Sequence, residues 1–131
     1  MRRMRGLSHS DPFVRYSTWL RERYGGTTYR VAVDAGFTCP VREAGLPCAY
    51  CDARGSRAPY LADRGSMEEQ ISQGIAFQRE RYGAERLLLY FQAYSNTHAG
   101  VATLRATWDF ALAQGEFVGL LVATRPDCID E

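Results

Sequence analysis

An α/β fold with a parallel sheet is predicted for this chain of 131 residues. Three apolar, strand-like runs occur along it, segments with helical spacing of apolar residues separate them, and a polar loop follows each run. Unbroken apolar runs of this kind suit parallel strands that are covered on both faces. We therefore expect a first helix and then the order β-loop-α-β-α-β, with right-handed crossovers.

The first element is predicted to be an amphipathic helix. Asp11 and Pro12 are typical of a helix start, because aspartate caps the free N–H groups and proline tolerates the first turn. Gly25 is expected to end the helix. Four apolar residues recur at helical spacing between these limits: Phe13, Tyr16, Leu20 and Tyr24.

Residues 29–33 form a short β-branched run and are predicted to be the first strand. From residue 34 to about residue 65, proline and glycine interrupt every periodic pattern. A loop of this length inside a compact domain needs a role, and holding a cofactor is one. The loop contains Cys39, Cys48 and Cys51.

Two further helices and two further strands follow. Ser66 and Glu69 have the spacing of a capping box, so a helix is expected to begin there. Residues 86–91 and 117–123 are predicted strands, with a helix between them that Gly115 ends. The apolar faces of these two helices consist of Met67, Ile71, Ile75 and Tyr82, and of Val101, Leu104, Trp108, Ala111 and Leu112.

Composition and charge limit the range of partners. The length permits one hydrophobic core, and a net charge of +1 predicts no strong attraction to nucleic acid or to an anionic membrane. No apolar stretch is long enough to cross a bilayer, and the first residues lack a secretory signal. We expect a soluble, cytoplasmic protein with a flexible basic arm over residues 1–10.

Polar and sulfur-bearing residues gather at one predicted edge of the sheet. The loops after the three strands contain the cysteines, residues 92–98 and residues 124–128. Since ligands bind beyond the carboxyl ends of parallel strands, these loops are expected to form the site. Three thiolates suit a four-iron cluster with one open iron, whereas four cysteines, Cys128 included, suit a tetrahedral zinc ion.

The motifs around the cysteines resemble a known enzyme family. Cys48-Ala49-Tyr50-Cys51 is similar to the end of the radical S-adenosylmethionine signature, although the eight residues between Cys39 and Cys48 exceed the usual interval. With the blocks at residues 34–40, 90–97 and 124–127, the chain resembles the YhcC-like branch, which is related to the catalytic subunit of Elongator. The resemblance runs from about residue 16 to the end of the chain.

The resemblance implies a fold and an activity. Residues 11–131 would be the amino-terminal, incomplete part of a radical S-adenosylmethionine core domain, a partial (β/α)6 barrel preceded by a helix. Cys39, Cys48 and Cys51 would bind a [4Fe-4S] cluster, and S-adenosylmethionine on its fourth iron would be cleaved reductively to a 5'-deoxyadenosyl radical. An electron donor such as flavodoxin or ferredoxin is implied. Nucleic acid as a partner rests only on the relationship to Elongator, and the substrate is not indicated.

The resemblance also implies contacts to S-adenosylmethionine. Tyr50 would lie near the adenine, or be an ordinary core aromatic residue. Arg125 would pair with the cofactor's carboxylate or ribose, or form a structural ion pair with Asp127. The methionine moiety would contact three residues that are also common turn formers: Gln92, Tyr94 and Asn96.

Cys128 and His98 are the last residues to assign, and two rival functions remain. Cys128 must be a bystander in the radical-enzyme interpretation, because a fourth thiolate would close the open iron. His98 is a proton carrier, a metal ligand or, more commonly for a single histidine just before a helix, a surface residue. The rival functions are a zinc-stabilised binding module with four cysteine ligands and an inactive, truncated remnant of the enzyme.

Overall fold

The structure is a computed structural model that describes residues 12–46, 48–49, 51–52, 58 and 65–130. The predicted arm, Asp11 and Tyr50 lie outside these residues. The helices are α1 (Tyr16–Tyr24), α2 (Pro40–Glu43), α3 (Met67–Tyr82) and α4 (Val101–Leu112). The strands are β1 (Thr28–Val33), β2 (Arg86–Phe91) and β3 (Gly119–Val122), and a short 3-10 helix (Pro126–Cys128) follows β3.

The three strands form one parallel sheet in the order β1-β2-β3. Val33 pairs with Phe91, and Phe91 pairs with Val122, so the three strands finish at the same level. This confirms the predicted α/β class and the three parallel strands. It also means that the loops after β1, β2 and β3 leave the sheet at one edge.

One face of the sheet carries the main core. Val33, Leu89 and Phe91 are fully buried there against Ile71 of α3 and Ala111 of α4. Residues two positions apart on a strand point to the same face of the sheet, which explains why these side chains meet. Five partly buried side chains on the helices and on β3 pack against the cluster: Met67, Ile75, Trp108, Leu112 and Leu120.

The α1 helix lies on the opposite face. A Cβ atom added to Gly119 would stand 3.2 Å from the Tyr24 hydroxyl and 2.9 Å from the Leu88 side chain. Leu88 and Gly119 are paired neighbours in the sheet, so the end of α1 covers the amino-terminal part of this face. Leu20 is the buried residue of α1, whereas Phe13 is 61% exposed.

Several predicted boundaries were wrong. The first helix begins at Tyr16, not at Pro12, because Phe13 finds no packing that would stabilise an earlier turn and Arg15 is extended. The last long helix ends at Leu112, before Gly115. The third strand covers residues 119–122, although the N–H groups of Val118 and Ala123 just outside it also donate to the carbonyls of Leu87 and Phe91 in β2. The capping box is confirmed: the Ser66 hydroxyl accepts from the Glu69 N–H, and the Glu69 carboxylate accepts from the Ser66 N–H.

Within the described ranges, no helix combines the length and the apolar composition that a membrane span requires.

Substitution of Gly74 tests how closely α3 packs on β1. A Cβ atom at this position would lie 2.7 Å from Cγ1 of the buried Val31, a stiff side chain that has no room to move. We expect Gly74→Ala to lower the free energy of unfolding by about 1–2 kcal/mol, despite the better helix propensity of alanine. Urea denaturation measures this change in the free energy of unfolding.

In the control, Gly100→Ser places a Cβ where nothing lies within 4 Å and adds a capping hydroxyl, so stability should not fall. Equal effects of the two substitutions would contradict the close packing.

Candidate functional site

A cavity of about 210 Å³ lies at the carboxyl ends of the strands. Its walls come from all three loops that leave this edge, as the sequence predicted. A larger depression of about 490 Å³ lies near the start of β2 and the approach to β3, but no thiol lines it. The smaller cavity is lined by Cys39, Cys48, Cys51, Tyr90, Gln92, Ala93, Tyr94, Ser95, Ala123, Thr124 and Arg125.

The exit of β1 is held by the buried side chain of Gln70 on α3. Its Oε1 accepts from the Asp34 N–H at 2.8 Å, and its Nε2 donates to the Asp34 carbonyl at 3.1 Å and to the Gly65 carbonyl at 3.2 Å. The Asp34 carboxylate in turn accepts from the N–H of Gly36, whose φ is 84°. A left-handed residue here turns the chain sharply out of the sheet, and glycine adopts this conformation without strain.

The cysteine loop brings its three thiols to the cavity. Cys39 is buried and precedes α2, where Pro40 occupies the first helical position. The Cys51 N–H donates to the Cys48 carbonyl at 3.4 Å, so a turn joins these two residues. Burial raises the pKa of the Cys51 thiol, and the neighbouring Cys48 and Cys39 thiols raise it further. All three thiol-bearing residues line the same cavity.

Two buried polar groups after β2 line the cavity without a hydrogen-bond partner among the described residues. They are Nε2 of Gln92, whose residue is 8% exposed, and Oγ of Ser95, whose residue is 0% exposed. Burying a polar group without a partner costs free energy, so such groups are uncommon unless a ligand satisfies them. Both residues belong to the wall of the cavity, so a ligand bound there would lie beside these two groups.

Asn96, which the sequence analysis assigned to a ligand, is not among the residues that line this cavity. Its side-chain amide donates to the carbonyls of Ala93 at 2.9 Å and of Ala123 at 3.0 Å. Its backbone N–H also donates to Ala123 at 2.9 Å. In the structure, Asn96 therefore joins the loop after β2 to the loop after β3.

Ser95 was not among the residues that the resemblance pointed to, which were Gln92, Tyr94 and Asn96. Tyr94 has a φ of 58°, in the left-handed region, so the extended alternation of side chains stops there. Ser95 consequently lies on the cavity wall and Asn96 does not. The only sequence signal for Ser95 was its place in a loop at the active edge.

Arg125 lines the cavity and also forms the ion pair with Asp127 that the sequence analysis held as its alternative. The two guanidinium–carboxylate hydrogen bonds are both 2.9 Å long. Hydrogen bonding to Arg125 lowers the pKa of the Asp127 carboxyl. The pair orients the guanidinium at the mouth of the cavity, and Arg125 can serve both roles.

The remaining candidates lie around this cavity or outside the described residues. Tyr50 belongs to the latter group. Cys128 is not among the lining residues, and its Sγ is 3.9 Å from an oxygen of Asp127. His98 is 31% exposed and its Nε2 is 2.8 Å from Oε2 of Glu43. Across the described part of the chain, no three His, Cys, Asp or Glu residues are grouped so that they could hold a metal ion.

Comparison with known proteins shows clear relatives. The chain is 35% identical to the uncharacterized protein YtqA of Bacillus subtilis over 94% of its own length and 40% of that relative. It is 34% identical to protein YhcC of Escherichia coli over 86% of its length and 36% of the relative. An uncharacterized protein of Methanocaldococcus jannaschii, MJ0486, is 29% identical over 91% of the chain and 37% of the relative.

These matches support the resemblance to YhcC that the motifs indicated, and the chain spans roughly two fifths of the length of these curated relatives. No family model and no solved structure matches the chain.

The role of Gln70 can be tested against that of Gln78, a second buried glutamine on α3. Gln70→Leu removes the partners of both Asp34 backbone groups, whereas Gln78→Leu removes a single hydrogen bond to the Arg30 carbonyl. We expect losses of about 2–4 and about 1–2 kcal/mol in the free energy of unfolding, respectively. Urea denaturation of both variants measures the difference. Equal losses would show that Gln70 does not hold the strand exit.

Proposed function

We propose that this chain carries the cluster-binding and S-adenosylmethionine-binding part of a radical S-adenosylmethionine enzyme. The observation that carries the proposal is the composition of one cavity. Three cysteine thiols and two unpartnered, buried polar groups, those of Gln92 and Ser95, line it together. The similarity to YhcC supports the proposal, because the motifs at these positions resemble that branch.

The donor set fits a four-iron cluster better than a single ion. A zinc ion needs all of its ligands directed at one point, and the described residues form no such group. In a cluster, each thiolate binds a different iron, so the three sulfurs do not converge on a single metal atom. Cys39, Cys48 and Cys51 line one cavity, and Cys128 is not among its lining residues.

With three cysteine ligands, one iron of such a cluster stays open. When bound there, S-adenosylmethionine would be cleaved reductively to methionine and a 5'-deoxyadenosyl radical, with an electron from a donor such as flavodoxin or ferredoxin. The chain's own residues would bind and orient the cofactor. Gln92 Nε2 is a donor and suits the carboxylate, whereas Ser95 Oγ can accept from the amino group or donate to the carboxylate.

Arg125 would add a charged contact at the cavity mouth. A guanidinium favours carboxylates and phosphates, and its pair with Asp127 holds it in one orientation before a ligand arrives. Part of the cavity wall is apolar and consists of the aromatic ring of Tyr90 and the methyl groups of Ala93 and Ala123. Apolar walls exclude water from a reactive intermediate, which radical chemistry requires.

Metal analysis after anaerobic reconstitution tests the cluster. We expect about four irons and four sulfides per chain, lost in Cys48→Ala and retained in the control Cys128→Ala. Iron, sulfide and zinc are measured together, and the reduced protein is examined by electron paramagnetic resonance. One tightly held zinc that needs all four thiolates would instead establish the zinc-stabilised binding module. Iron bound in wild type and equally in Cys48→Ala would contradict the ligand assignment.

Ser95→Ala separates a ligand-binding role from a structural one. Because the Ser95 hydroxyl has no partner among the residues that the structure describes, its removal should leave the unfolding free energy of the cluster-free chain unchanged or higher. The same variant should bind S-adenosylmethionine about two- to twelve-fold more weakly, as for a lost hydrogen bond. Calorimetric titration of the reconstituted protein measures this.

Ser72→Ala is the matched control for this experiment, since the Ser72 hydroxyl lies on the exposed side of α3 and donates to the Glu69 carbonyl. Its affinity for S-adenosylmethionine should equal that of the wild type. A destabilised Ser95→Ala chain with unchanged affinity would assign Ser95 to the fold alone.

A further inference from the structure

Two segments from different loops are joined by three contacts beside the cavity. One is the start of the cysteine loop, residues 38–43, and the other is the turn after β2, residues 94–98. The Ser95 N–H donates to the Thr38 carbonyl at 3.2 Å. We call this hydrogen bond and the two side-chain pairs described next, three contacts in all, the loop clamp.

The two side-chain pairs of the clamp come from consecutive residues of α2. The Arg42 guanidinium lies 4.5 Å above the centre of the Tyr94 ring, a distance typical of a cation–π contact. Glu43 Oε2 lies 2.8 Å from Nε2 of His98, and the two side chains are 54% and 31% exposed. Both pairs reach across to the same turn, so they restrain α2 at two points.

The turn after β2 is itself well anchored on its other side. Asn96 is bonded to Ala123 through its backbone and its side chain, and the Thr97 hydroxyl contacts Thr124 and the Cys128 carbonyl. Helix α2 is the weaker partner, because a helix of four residues has no stability of its own in water. The clamp therefore holds the short helix α2 in a fixed position relative to the turn after β2.

Cys39 lies between the two parts of the clamp, after Thr38, whose carbonyl is bonded to Ser95, and before Arg42 and Glu43 of α2. It is the residue before Pro40, it is buried, and its carbonyl accepts from the Glu43 N–H at 3.1 Å. A displacement of α2 would move Cys39 relative to the other two thiols. We propose that Arg42, Glu43 and His98 are positioning residues that hold the Cys39 thiol where a cluster can bind it. This inference rests on the proposed function, which makes Cys39 a ligand.

The clamp also gives His98 a role other than proton transfer. The ring nitrogen that contacts Glu43 is engaged, and His98 is not among the residues that line the cavity. An exposed ion pair contributes little to global stability. The effect of the Glu43–His98 contact is expected to be local, on α2, which has few other contacts.

A double-mutant cycle on the Glu43–His98 pair tests the inference. Glu43→Gln and His98→Gln should each increase the rate of iron release from the reconstituted protein to a chelator by about two- to five-fold. The double variant should release iron no faster than the single variants, because both remove one interaction. His98→Arg keeps a side-chain N–H donor opposite Glu43 and should release iron at the wild-type rate. Glu80→Gln, an exposed carboxylate change on α3, is the control and should have no effect.

A second measurement does not need the cluster. In the metal-free chain, the alkylation rate of Cys39 relative to that of Cys128 is followed by mass spectrometry of the digested protein. The clamp variants should raise this ratio about two- to five-fold, and unfolding midpoints should stay close to that of the wild type. A merely structural role would shift the midpoint and the labelling of all four cysteines together.

The two measurements separate the two proposals. If the wild type takes up no cluster but the clamp variants still expose Cys39 selectively, the proposed function fails and the positioning of Cys39 stands. If the wild type binds the cluster and neither iron release nor labelling responds to the variants, the clamp inference is overturned. Additive effects in the double variant would overturn it as well, since they would show two independent roles.

Discussion

Parallel pairing of three neighbouring strands is the constraint on which the site depends. Because β1, β2 and β3 finish at one level, the chain leaves the sheet three times at the same edge. The backbone groups in these exits have no place in the strand ladders and must find partners elsewhere. The exit of β1 is bonded to Gln70 and to the turn after β2, which is bonded in turn to Ala123 after β3. The hydrogen bonds that satisfy the exits thereby set the distances between the loops.

This arrangement leaves a small number of polar groups unused at the place where a ligand would bind. Other buried atoms of the described residues also lack hydrogen-bond partners, among them Nε1 of Trp108 in the core. Gln92 and Ser95 differ because they line a cavity together with three thiols. Chemistry and position thus coincide at one site, and a larger depression at the other end of the strands has neither feature.

Much of this architecture could be predicted from local sequence patterns. Residues 86–91, which contain the apolar run 87–91, form β2 over the predicted range, and the Ser66–Glu69 capping box starts α3 as expected. The convergence of the cysteines with Gln92, Tyr94 and Arg125 followed from the rule for parallel sheets. The predicted start of α1 at Pro12 was wrong. A capping signal starts a helix only where the following turn also packs against the rest of the protein, and Phe13 is 61% exposed.

The sequence by itself determined the strands, the longer helices and the edge at which the loops meet, because periodicity and capping depend on residues a few positions apart. Which side chains face the cavity was decided by the tertiary structure. Ser95, which follows the left-handed Tyr94, lies on the cavity wall, and Asn96 instead bonds to Ala123, which is 27 residues away in the chain. Contacts between residues so distant in sequence have no local pattern, so only the assembled sheet brings them together.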